Sequence, residues 1–127
     1  IPNFDPWADL GGGLAGSAGT PSLAGTSLLY PHFPFTLSLS GALGGAPATL
    51  VVGLSAIGAP FKGGVLIPSP DLLLPGLVVL PQGGFQLATQ WPGGVPSGLS
   101  LYFQAWIADA AGPQGFSASN GLRAQTP

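Results

Sequence analysis

Apolar and polar residues alternate in short runs along much of this chain, and glycine or proline cuts each run short. In FTLSLS, Phe35, Leu37 and Leu39 fall on one side and Thr36, Ser38 and Ser40 on the other. In ATLVVGLS, Leu50, Val52 and Leu54 share a side, and in FQLATQW, Phe85, Leu87 and Trp91 oppose Gln86, Ala88 and Gln90. A period of two with one polar face marks a half-buried antiparallel strand. The intervening GALGGAP, KGG, PSPD, PQGG, PGGVPSG and AAGPQG are built from residues that enter tight turns at little cost. One run is ambiguous. In LSLYFQAWIADAA, Leu99, Tyr102, Phe103 and Trp106 fit a helical stripe, whereas Leu99, Leu101, Phe103, Ala105 and Ile107 fit one strand face. Its aromatic content and its neighbours favour the strand. The pattern predicts an all-β fold, an antiparallel β-sandwich or jelly roll of about eight or nine short strands.

The first residues break the rhythm. IPNFDPWADL is too rich in proline for a central strand, and LGGGLAG reads as a flexible or tightly bent connector. Residues 1–14 are therefore expected to form an arm and connector, and residues 15–127 the sandwich. The arm holds four apolar anchors, Ile1, Phe4, Trp7 and Leu10.

Composition changes the picture in one respect above all. Charged residues make up 5% of the 127, where about 25% is usual. The acids are Asp5, Asp9, Asp71 and Asp109, the cations Lys62 and Arg123, and glutamate is absent. Nucleic acid binding needs many cations to neutralise phosphate, and a polybasic membrane patch needs them too. Both are excluded as partners. With no cysteine, there is no disulfide, thiolate metal site or thiol nucleophile. LLLPGLVVLP is interrupted by Pro75 and Pro81, and no apolar run approaches the length of a membrane span. The first residues carry neither a basic nor a long apolar segment and read as an already processed end.

Candidate chemistry is sparse. GFSAS around Ser117 and GLSAI around Ser55 approach a nucleophile elbow but lack its final glycine. The one imidazole, His32, lies between prolines in YPHFPF. The four aspartates read as turn caps rather than as a paired acid and base. They form no zinc-type cluster, although Asp71 or Asp109 with backbone carbonyls would suit a weak calcium site. LGGGLAG lacks the Lys-Ser/Thr of a phosphate loop. Trp7, Tyr30, Trp91, Tyr102 and Trp106 suit either a sugar-stacking platform or a core. These readings predict no enzyme, no cofactor and no metal.

GLSAIGAPFKGGVLIPSPD, WPGGVPSGLSLYFQAWIADAAGPQGFSASNGLRAQTP and the earlier WADLGGGLAG and GTPSLAGT carry a family resemblance. In their order, they resemble an uncharacterised β-rich domain of exported proteins from environmental bacteria, often the C-terminal module of much larger chains. The resemblance covers most of the chain from Trp7 onward. It implies a β-rich fold and an extracellular or cell-surface location, and it transfers no functional residue.

A free domain guards its strand edges and surface with charge. This chain has almost none, and no N-x-[ST] site for a covering sugar. The expectation is an extracellular structural protein that self-associates into a filament or surface layer. Its arm, through Ile1, Phe4, Trp7 and Leu10, would add a strand to a neighbouring copy or fold back on its own domain. The alternative is a monomeric cell-surface attachment or carbohydrate-binding module, with a glycan attached or bound.

Overall fold

The computed structural model describes residues 6–30, 32–91, 93–94 and 96–126. It is all-β and contains eleven strands among these residues. They are β1 Trp7–Gly11, β2 Ser22–Thr26, β3 Pro34–Ser40, β4 Pro47–Gly53, β5 Ala56–Phe61, β6 Gly64–Pro68, β7 Leu72–Val78, β8 Phe85–Gln90, β9 Ser100–Ala108, β10 Phe116–Ala118 and β11 Gly121–Gln125. A large antiparallel sheet runs β1-β11-β9-β4-β7, with β10 also on β9, and a smaller sheet runs β2-β3-β8. β5 and β6 form a separate hairpin. No helix long and apolar enough to cross a membrane occurs among the described residues.

The alternating runs become the walls of the core. Leu23 of β2, Phe35, Leu37 and Leu39 of β3, and Phe85 of β8 face Ala48 and Leu50 of β4, Phe103, Ala105 and Ile107 of β9, and Leu122 and Ala124 of β11. All are buried. Leu54 departs from the expected inward face: β4 ends at Gly53, and Leu54 is 64% exposed.

The ambiguous run is β9, the central strand of the large sheet. Its inner face meets the core. Its outer face, through Trp106, joins a second cluster with Val51 and Ala118, which Leu14, Leu66 and Phe116 complete. A strand covered on both faces loses its polar alternation, which is why period alone did not identify it. The outer cover is the β5–β6 hairpin, where Phe61 meets Trp106 edge to face at 5.1 Å. Lys62 and Gly63, with φ of 52° and 83°, make the two-residue turn whose twist matches a hairpin. Ser117, opposite Ile107, and Ser119 are both fully buried.

The strand count exceeds the expected eight or nine partly because the first strand lies inside the segment read as an arm. Trp7 pairs with Ala124, Ala8 with Arg123 and Asp9 with Leu122, so β1 is an edge of the large sheet. The connector is also built in: Leu14 exchanges backbone hydrogen bonds with Ala118, at 2.9 and 3.0 Å.

Candidate functional site

The residues with chemical potential collect on the β9–β11 flank, and the structure ties nearly all of them into hydrogen bonds. Between Ala118↔Trp106 and Leu122↔Phe103 the outer strand holds one residue more than β9, which is a β-bulge. Ser119 and Asn120 occupy it. The Ser119 hydroxyl accepts from the Ala105 N–H at 2.9 Å and donates to the Asn120 carbonyl at 2.9 Å. The Asn120 side chain crosses to the smaller sheet, accepting from the Leu23 N–H at 2.8 Å and donating to the Leu23 carbonyl at 3.1 Å. One amide thus stands in for a neighbouring strand's peptide and fastens the two sheets together.

Gln104 performs a similar task on the outer face. It is 0% exposed. Its carbonyl accepts from the Ile67 N–H and the Trp106 indole at 3.0 Å each, and its amide donates to Val65 and Ser119 carbonyls at 3.0 Å each. The β5–β6 hairpin is anchored to β9 through it.

Asp109, also buried, closes the same flank. It accepts from the Ser17 N–H at 2.7 Å, the Ser17 hydroxyl at 2.6 Å and the Ala111 N–H at 3.0 Å. The Ser17 hydroxyl bond is the largest reason its carboxyl sits below the usual value, and burial opposes the shift. Gly16 permits this approach, because a Cβ there would collide with the Asp109 carboxylate and Ser117. The Ser117 hydroxyl is buried without a hydrogen-bond partner.

Elsewhere, Asp71 accepts from the Ser69 hydroxyl at 2.6 Å and the Leu54 N–H at 2.8 Å, and these bonds lower its pKa. It joins the β4–β5 and β6–β7 connections. His32 adopts a φ of 61°, and its N–H donates to the Trp91 carbonyl at 2.8 Å. Lys62 lies over the rings of Phe61 and Phe116 at 5.7 and 5.4 Å. Among the described residues no three of His, Asp or Glu gather as a metal-ligand group. Of the aromatics considered for a sugar platform, Trp91 and Trp106 are buried, whereas Tyr30 is 45% exposed and stands edge-on to Phe33 at 5.6 Å.

The four arm residues separate. Ile1 and Phe4 lie outside the described residues. Trp7 is seated in its own domain: its ring covers Gly25 and lies 5.9 Å from Phe35, and its indole donates to the Ser27 carbonyl at 3.0 Å. Any side chain at position 25 would occupy the space of that ring. Leu10 is 38% exposed on the β1 edge.

The opposite flank has a different character. β7 ends the large sheet and β8 ends the small one, and between them opens a cleft of about 390 Å³. Phe35, Leu37, Leu50, Leu74, Leu87 and Phe103 are among its lining residues. β7 itself is apolar yet exposed: Leu72 and Leu73 at 52%, Leu74 at 40% and Val78 at 57%. Pro75 and Gly76, the latter at φ 81°, sit in a bulge between the Ala48↔Leu77 and Leu50↔Leu74 pairs. Both edge strands come from a stretch, residues 72–108, that contains no charged residue. The signal for this edge was a leucine run interrupted by Pro75 and Gly76 within an uncharged third of the chain.

No protein-family model, curated protein or solved structure matches this chain.

Proposed function

We propose that this protein is an extracellular structural subunit that self-associates into a filament or surface assembly and performs no catalysis. The observation that carries this reading is an apolar strand edge, β7, left exposed on a domain with almost no charge to guard it. Soluble monomers protect such edges with lysine, glutamate, proline, a bulge or a covering element, because unpaired backbone groups beside apolar side chains invite another strand. In β7, Pro75 and its bulge interrupt the second half and leave Leu72–Leu74 regular and open. The candidate acid Asp109 is held by structural hydrogen bonds, and the candidate nucleophile Ser117 is fully buried with no base hydrogen-bonded to it, which supports a role without chemistry. The extracellular location rests on the resemblance to exported bacterial domains.

Light scattering of the purified chain across a concentration series, with electron microscopy of the same samples, tests this. The expected result is a mass that rises with concentration and regular particles or fibres. A monomer at the highest concentration would overturn the reading.

A further inference from the structure

Building on that reading, we infer that β7 makes the pairing contact of the assembly's repeating unit: two copies pair their β7 edges antiparallel about a two-fold axis at Leu73, joining their large sheets into one closed dimer. The edge of β7 away from β4 faces no other strand among the described residues. Its open N–H and C=O groups need hydrogen-bonding partners, so an apolar lipid surface would leave them unsatisfied while a second strand would not. A partner chosen by charge finds nothing to read, since neither β7 nor β8 holds a charged residue.

The segment is self-complementary. The bulge at Pro75–Gly76 ends the regular β4–β7 pairing at Leu74, and proline has no N–H to donate. Only Leu72–Leu74 remain for regular pairing, which selects one register. Centred on Leu73, it sets Leu72 opposite the other copy's Leu74 and Leu73 opposite Leu73. Leu72 and Leu74 line the cleft, so each copy lays two leucines at the cleft mouth of its mate. Leu73, paired with Val51, lies on the other face.

The area is that of a weak contact. Leu72, Leu73 and Leu74, between 40% and 52% exposed, present on the order of 300 Å² of apolar surface per copy. Two such patches remove at most roughly 600 Å², and at about 65% apolar the interface totals about 900 Å². That falls in the range of weak or transient association.

The absence of native cysteine allows a direct test. Residues opposite one another across antiparallel strands have Cα atoms about 4.5–5.5 Å apart, within disulfide reach. Under mild oxidation Leu73→Cys should crosslink roughly tenfold more than Leu10→Cys on the β1 edge, because paired thiols see a high effective concentration. Leu73→Lys and Leu73→Asp should each weaken association by roughly tenfold or more, since like charges face across the axis, and an equal mixture of the two should restore it. If the chain assembles but Leu73→Cys crosslinks no better than the control, or the charge variants assemble unchanged, the β7 contact is wrong while self-association stands. If the unmodified chain is a monomer, both fail.

Discussion

The two flanks of this sandwich are held in opposite ways. On the β9–β11 side, inside the β1 edge, polar groups lock strands and sheets together: a bulge, a side-chain amide reaching Leu23, a glutamine holding a hairpin and an aspartate holding a turn. On the β7–β8 side there is no such lock, only leucines around an open cleft. Polar residues are scarce in this chain, and those buried on the closed flank give that flank a unique geometry. Hydrophobic contact alone is non-directional and leaves the other flank able to accept a mate.

That difference should appear first in stability. Asn120→Ala leaves the Leu23 N–H and C=O buried without partners, and we expect a loss of about 3 kcal/mol in urea unfolding. Leu74→Ala on the open flank should cost about 1 kcal/mol or less in the monomer, because the residue is 40% exposed. Equal losses would break the comparison.

Gln104→Leu removes the hairpin's anchor and strands the Ile67 N–H, at a cost of about 2 kcal/mol. Hydrogen exchange should accelerate at Ile67 while the β3–β8 ladder stays protected. A uniform change across both would mean that the hairpin is not a separate unit.

Gly25→Ala drives a methyl into the Trp7 ring. We expect about 1–2 kcal/mol of destabilisation and altered tryptophan fluorescence as β1 loosens, with β7-dependent association unchanged. An effect on association would tie the β1 edge to assembly after all.

The smallest effect concerns acid. The carboxyls of Asp109 and Asp71 are lowered by their hydrogen bonds in the folded chain. Below the ordinary carboxylate value of about 3.9 the unfolded chain binds more protons than the folded one. Their stabilisation is therefore complete above that value and disappears as pH falls through the lowered folded values. Asp109→Asn should flatten the acid limb of stability against pH, and an unaltered limb would place the acid sensitivity elsewhere.

β3 and β8 were legible because each has one wet face, so the period of two survives in Phe35, Leu37, Leu39, Phe85 and Leu87; in β4 Leu50 keeps the inner face, but Val51 is buried in the outer cluster. β9 was only half legible, because the hairpin dries its second face. β1 was hidden by the prolines before it and the glycines at its end. It forms because Gly25 leaves a recess for Trp7, and a distance of 18 residues in sequence gives no local sign of that fit. Asn120 has no neighbour in sequence that signals its task. Its role depends on Leu23, nearly a hundred residues away.

The sequence by itself determined the class of fold, the turns and the poverty of charge, because those follow from backbone preference and side-chain chemistry at each position. The tertiary structure alone decided which apolar runs are covered. Leu50 and Leu73 are equally apolar, but Leu50 sits in a central strand and Leu73 at the end of a sheet. Burial is a property of neighbours brought together from far apart in the chain, and a strand becomes an edge only when the whole sheet has been ordered.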